Sequence, residues 1–305
     1  MAAELLVIDL SAPAFSTANL IRQACTECGC FYIVNHGVEE ELVARVLKQS
    51  KQFFSLPLDH KMKLLNEGHM SYTPLCTENL DPYPGSICDL KESFYLGNPE
   101  QTSPIQWPSE ELLPSWRPTM EAYISKALSA GSRLISLISL ALNLDEDYFE
   151  KIGAMNAYIR FLRYPGELGH SKEERFGVKA HSDYGMITLL VTDGVLGLQV
   201  CKEQFKEPQI WEDVLPLRGA FFVNIGDMIE RWTNGMFKSA LHRVMLTGQE
   251  RYSLAFFVDP NPNSIVECLE SCCSESCPKR FNYVLINSLN FNLFASNVII
   301  TAKIR

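Results

Sequence analysis

From Met155 onward the chain breaks into short runs rich in Val, Ile, Leu, Phe, Tyr and Thr, parted by turn residues: 155–163, 186–192, 197–201, 220–225, 241–247 and 251–258. Runs of this length and spacing specify strands rather than helices, and their recurrence specifies an antiparallel barrel or sandwich. The first half has a different texture. Residues 16–29 and 39–55 carry apolar side chains at helical spacing, and Leu56-Pro57 stops the second run. Residues 118–142 form a longer helix, apolar on most sides and so destined for the core, with a further short helical piece in DEDYFEKI. Short strands are predicted at 4–9, at 30–35 and near Phe94-Tyr95, the last inside a loop-rich stretch from 66 to 110. The expectation is one mainly-β domain with α over 1–305. It comprises a helix-rich region (1–154), a β core (155–278) and an atypical tail (279–305).

Charge argues against one class of partner. The net charge is −9 with a pI near 5.3, whereas nucleic-acid binding needs clustered Lys and Arg. The ten Cys, with no basic leader and with Asp9 interrupting the first apolar run, point to free thiols in a reducing, cytoplasmic setting. Residues 281–302 carry no charge, yet Asn282, Asn287, Asn290, Asn292 and Asn297 fall inside them. Unsatisfied amides in hydrocarbon argue against a membrane span.

The chemistry concentrates in His181-Ser182-Asp183. If that piece is extended, positions i and i+2 point to one side, so an imidazole and a carboxylate converge. A third ligand, His242, sits in the strand-like LHRVML. Two His and one carboxylate on one face of a metal leave open positions, the facial-triad geometry of non-haem Fe(II) oxygenases. Arg251-Tyr252-Ser253 opens the next strand. An Arg fork binds a carboxylate bidentately and a Ser hydroxyl adds a further hydrogen bond. With the Arg251 strand next to the His242 strand, the pair would lie close to the metal. Arg251, Ser253, Ala255 and Phe257 would share one face.

Blander readings stand beside these. A lone His-x-Asp occurs by chance, and His36, His60, His69 and His170 read as turn or solvated residues. Asp227 in NIGDM reads as turn chemistry rather than a ligand. Cys268, Cys272, Cys273 and Cys277 are closely spaced, but structural zinc prefers CxxC pairs, so they read as free thiols. Cys25, Cys28 and Cys30 read as packing residues.

Taken together, His181-x-Asp183, His242 and Arg251-x-Ser253 resemble the site of plant 2-oxoglutarate-dependent dioxygenases, the group of gibberellin oxidases and flavonoid oxygenases. CGCFYIVNHGV at 28–38 is similar to the family's GFFYIVNHGV, and VNIGDMIERWTNG with KSALHRV resembles its second signature. The resemblance covers roughly residues 1–278. It implies a double-stranded β-helix, or jelly roll, with surrounding helices. It further implies Fe(II) on His181, Asp183 and His242, and 2-oxoglutarate held by Arg251, Ser253 and Tyr164. The activity implied is O2-dependent hydroxylation, demethylation or desaturation of a small plant metabolite or hormone, with succinate and CO2 released and ascorbate supportive. Separately from the resemblance, a monomer is expected. Phe94, Tyr95, Tyr184 and Phe257 lie where the family places substrate-facing side chains. Two departures stand out: Leu162 replaces an Asn of the family's co-substrate motif, and the chain after Pro278 follows no family pattern. Two alternatives stay open: an Fe(II) oxidase of the same fold that does not use 2-oxoglutarate, and a catalytically impaired binding form.

Overall fold

The computed structural model describes residues 5–65, 72–79, 88–97, 107–152, 156–166, 175–203, 206 and 208–286. His69, His170 and the tail beyond Ile286 lie outside the described residues, as do parts of the 66–110 stretch. No described helix is long and apolar enough to cross a membrane.

The first half supplies β1 (Val7–Asp9), α1 (Ala14–Glu27), β2 (Cys30–Val34), α2 (Glu40–Phe54), α3 (Leu58–Met62), β3 (Tyr72–Thr73), β4 (Glu92–Leu96), α4 (Trp116–Ala141) and α5 (Tyr148–Lys151). The second half supplies β5 (Asn156–Tyr164), β6 (Phe176–His181), β7 (Ile187–Thr192), β8 (Leu198–Cys201), β9 (Trp211–Asp213), β10 (Phe221–Ile225), α6 (Asp227–Trp232), β11 (Leu241–Met245) and β12 (Arg251–Asp259). The helical spacing read from sequence is real. Met120, Tyr123, Ala127, Ala130, Leu134 and Leu137 of α4 are buried at steps of three and four residues.

The strands form an eight-stranded sheet, ordered β1-β2-β10-β7-β12-β5-β4-β3, and a four-stranded sheet, ordered β6-β11-β8-β9. All pairs in them are antiparallel except β1 with β2. Strands from the helix-rich first half therefore complete the large sheet on both sides of the core strands.

Strand alternation gives the large sheet two different faces. Ile159, Phe161, Ile187, Leu189, Phe221, Val223, Leu254, Phe256 and Val258 join the helices in one apolar core. The residues between them, including Leu162, Tyr164, Phe222 and Ala255, meet Val178, Leu198, Val200 and Val244 of the small sheet in a second cluster. The jelly-roll core with surrounding helices is thus the observed fold.

The short helical piece read in DEDYFEKI is present as α5, and two details differ from the sequence reading. β6 was not expected, because FGVKAH mixes Gly177, Lys179 and Ala180 into a strand that, among the described residues, pairs only with β11. Cys76 and Cys88, expected as thiols, form a disulfide with Cα atoms 5.2 Å apart. The pairing of Tyr72 with Phe94 and Thr73 with Ser93 brings their two segments together. The remaining eight cysteines are thiols.

Candidate metal centre and its cavity

His181 ends β6 and His242 lies opposite it on β11 in the small sheet. Asp183 follows two residues after β6, in the loop that leads to β7. His181 Nε2 and His242 Nε2 stand 3.7 Å and 3.8 Å from Asp183 Oδ1. The imidazole centroids are 4.2 Å apart. Among the described residues this is the only group of three or more His, Cys, Asp or Glu whose ligand atoms lie within 4.8 Å of one another. All three are buried.

Each ligand atom is left available by what the other atoms do. His181 Nδ1 contacts the Lys179 carbonyl at 2.8 Å, and His242 Nδ1 contacts the Ala240 carbonyl at 2.9 Å. A carbonyl only accepts, so both rings carry their proton on Nδ1 and present the Nε2 lone pair to the shared centre. Asp183 Oδ2 accepts from Asn224 Nδ2 at 2.7 Å and from Thr188 Oγ1, which leaves Oδ1 facing the two rings. Asn224 and Thr188 are direct cross-strand neighbours on β10 and β7.

Burial holds the His181 imidazole well below its ordinary pKa, the neighbouring His242 adds to this, and Asp183 opposes it. Burial alone would raise the Asp183 carboxyl. His242 and His181, with the Asn224 and Thr188 hydrogen bonds, outweigh it and hold the carboxyl below its usual range. Neutral imidazoles and an ionised carboxylate are the forms that bind a divalent cation.

Backbone bonds pin the Asp183 loop. The Asp227 and Met228 N–H groups donate to the carbonyls of Asp183 and Gly185, at 2.8 Å and 3.1 Å. They belong to the first turn of α6, where amides lack partners within the helix. Asp227 therefore starts the helix that holds the loop, and its side chain accepts from Ser239 Oγ at 2.6 Å. As expected, it is not part of the cluster.

The cluster opens on a cavity of about 60 Å³ between the two sheets. Arg251, Ser253, Ala255 and Phe257 all line it, as β12 parity requires. Arg251 Nε donates to the Val195 carbonyl at 3.2 Å, while Arg251 Nη1 and Ser253 Oγ are buried with no hydrogen-bond partner. A buried donor of this kind is costly unless a ligand satisfies it. Tyr164 pairs with Arg251 across β5 and β12, and its ring lies 5.0 Å from the guanidinium. A side chain at Gly177 would strike that ring at 2.4 Å, so glycine there makes room for it. Leu162 lines the same wall. Three metal-ligand atoms beside an unpaired guanidinium nitrogen and hydroxyl fit a ferrous ion with a dicarboxylic keto acid.

The expectation that the Arg251 strand adjoins the His242 strand is corrected. β11 belongs to the small sheet and β12 lies between β5 and β7 in the large one. The two groups meet across the cavity instead of along one sheet.

The family-based aromatic residues separate in the same way. Phe257 lines the cavity and stacks on Tyr158 at 4.9 Å, and Tyr158 adjoins Tyr95 at 6.3 Å. Tyr95 also lies 4.4 Å beneath the Arg160 guanidinium, which lines the cavity. Phe94 is not at the cavity. It lies on β4 opposite Phe161 of β5 and is fully buried against Phe53 and Trp116 on the helical side. Neighbouring residues of one strand cannot both face inward. Tyr184 packs against the same outer core and does not line the cavity.

Sequence reasoning missed Thr188, Asn224, Lys91 and Arg160, which also line the cavity. Lys91 pairs with Glu78 at 3.1 Å and Asp89 at 3.2 Å, and Arg160 pairs with Glu78 and Ser93. His36 accepts from the Val38 N–H at 3.2 Å, a turn role as expected. A larger cavity of about 490 Å³, between α2 and the 214–219 connection, shares Leu190, Leu198, Phe222 and Arg251 with the first but none of the three ligands.

Known proteins agree with this geometry. Residues 5–116 match the profile of the non-haem dioxygenase in morphine synthesis N-terminal family, and residues 155–260 match that of the 2OG-Fe(II) oxygenase superfamily. The chain is 38% identical to azadirone synthase LFS of Melia azedarach, over 94% of this chain and 91% of the relative. Its fold superposes on JOX2 in complex with 2OG, Fe and JA at a TM-score of 0.80 and 27% identity, covering 98% of this chain and 86% of that one. A full-length Neurospora crassa protein solved in complex with alpha-KG gives 0.83 and 25%, covering 97% and 98%. Identity at this level over nearly the full chain, with two imidazoles and a carboxylate gathered in the barrel, places the protein in the 2OG-Fe(II) oxygenase superfamily, as a 2-oxoglutarate- and Fe(II)-dependent enzyme.

Proposed function

We propose that the protein oxidises a small plant metabolite or hormone in the cavity between its sheets, with His181, Asp183 and His242 holding the iron and Arg251, Ser253 and Tyr164 holding 2-oxoglutarate. The observation that carries this reading is the pairing of the His-Asp-His cluster with two unsatisfied buried donors, Arg251 Nη1 and Ser253 Oγ, on one cavity. Bound iron supplies the O2-dependent oxidation, coupled to conversion of the keto acid to succinate and CO2.

The protein's own residues do four things. The Lys179 and Ala240 carbonyls hold both imidazoles in the ligating tautomer. Asn224 and Thr188 hold Asp183 ionised and oriented. Arg251 supplies a buried positive charge for the far carboxylate of the keto acid, and Ser253 supplies a further hydrogen bond. Phe257, with Tyr158 and Tyr95 behind it, walls the substrate side with aromatic surface and keeps water out. Phe94 and Tyr184 have no part in this reading.

The small-molecule substrate is supported by relatives such as azadirone synthase and by JOX2, which is solved with JA. We read the chain as one domain because β1 to β4 hydrogen-bond into the same sheet as the core strands. A net charge of −9 supports a protein that avoids nucleic acid, and eight free thiols among ten cysteines support a reducing, cytoplasmic setting, in which we expect a monomer. The test is succinate release across a panel of plant metabolites, with Fe(II), 2-oxoglutarate and ascorbate supplied. Substrate-dependent succinate is the expected result. Turnover of any substrate without succinate would instead favour the oxidase of the same fold.

A further inference from the structure

Cys28, Gly29 and Cys30 join α1 to β2, and the two sulfurs lie 3.6 Å apart. The Cys30 thiol donates to the Cys28 sulfur. Gly29 takes a positive φ of 74°, and a side chain there would strike the Lys238 carbonyl at 2.0 Å, so the turn that brings the sulfurs together is fixed by glycine. The Gly29 carbonyl accepts from the Ile225 N–H at 2.8 Å, and Cys30 is opposite Asn224 in the β2–β10 register. The two thiols are not equivalent. Cys28 is half-buried and Cys30 is 1% exposed. The Cys30 hydrogen bond lowers the Cys28 thiol to about 7, with help from Lys202 and against burial and Glu27. The Cys30 thiol is held well above its ordinary value by its bond to Cys28 and by burial, and Cys25 is raised by burial.

We propose that Cys28 and Cys30 form a reversible dithiol–disulfide site on which a hydroperoxide-class oxidant acts. The Cys28 thiolate attacks the terminal oxygen of hydrogen peroxide. The O–O bond breaks, water leaves with one proton taken up, and Cys28 becomes a sulfenic acid. The Cys30 sulfur then attacks the Cys28 sulfur, an S–S bond forms, and the sulfenic oxygen leaves as water with the Cys30 proton. In total two thiols lose two electrons and two protons, and one peroxide becomes two waters. Accessibility and thiolate character both select Cys28 as the attacking group. Ring closure needs the sulfurs to approach from 3.6 Å to about 2 Å, within reach of side-chain rotation about a short link.

The site is testable in the full chain with a chelator present, so that iron contributes no oxidant. Trypsin releases residues 23–45 as one peptide holding Cys25, Cys28 and Cys30. After mild peroxide treatment and alkylation, that peptide should lose about 2 Da through the new bond and carry alkyl only on Cys25, and dithiothreitol should restore three alkylatable thiols. Cys30→Ser should accumulate a sulfenic acid on Cys28 that dimedone traps, and Cys28→Ser should leave Cys30 reduced. Three free thiols after peroxide, a bond to Cys25, or trapping at Cys30 in Cys28→Ser would each overturn the proposal. The wild-type peptide map stands even if a variant folds poorly.

Discussion

Strand β12 shows two environments on one backbone. Its even residues, Tyr252, Leu254, Phe256 and Val258, are buried in the apolar core under the helices. Its odd residues, Arg251, Ser253, Ala255 and Phe257, face the cavity. The outer face leaves no polar group to satisfy apart from the tyrosine hydroxyl. The inner face buries a guanidinium nitrogen and a hydroxyl without partners. The first arrangement stabilises the fold. The second costs stability and is understandable only if a ligand completes it. Alternation by one residue thus separates what holds the protein together from what it does.

Substitutions on the two sides should separate activity from stability. The largest expected effect is on the inner side: Asp183→Ala reduces turnover to background while unfolding free energy moves by no more than about 1–2 kcal/mol, measured by denaturant titration beside a succinate assay. Wild-type turnover in that variant would break the comparison. On the outer side, Phe256→Ala empties a fully buried aromatic site and should lower stability by about 3–5 kcal/mol. Its folded fraction should keep near-normal turnover per molecule, and a selective loss of turnover would blur the two faces. Arg251→Ala should raise the 2-oxoglutarate KM roughly thirtyfold or more, the equivalent of about 2 kcal/mol, with a smaller change in substrate KM. An unchanged co-substrate requirement would remove the carboxylate role. Asn224→Ala removes a hydrogen bond to Asp183 and should weaken Fe(II) binding by about 10–100-fold, read by metal titration. An unaltered affinity would mean that Thr188 alone positions the carboxylate.

Much of this is legible in the sequence because it depends on local periodicity. The helical steps of α4 and the parity of β12 follow from residue spacing alone. The cluster is legible because His181-x-Asp183 and His242 are of the residue types a divalent metal requires. What the sequence does not carry is sheet partnership. Nothing local tells that β11 and β12, joined by a short connection, enter different sheets. The resemblance groups Phe94 with Tyr95 although strand alternation separates them, an error that parity could have prevented. Asn224 and Thr188 escape a sequence reading because their partnership with Asp183 is a cross-strand register. The signal available was Asn224 inside the second signature segment. The Cys76–Cys88 bond depends on the β3–β4 pairing, which loop composition conceals.

The most direct test of the central claim is an anaerobic titration of the folded protein with Fe(II) and 2-oxoglutarate, followed by visible absorption. A weak metal-to-ligand charge-transfer band should grow to one equivalent and vanish in Asp183→Ala. Folded wild-type protein that develops no such band would contradict the account.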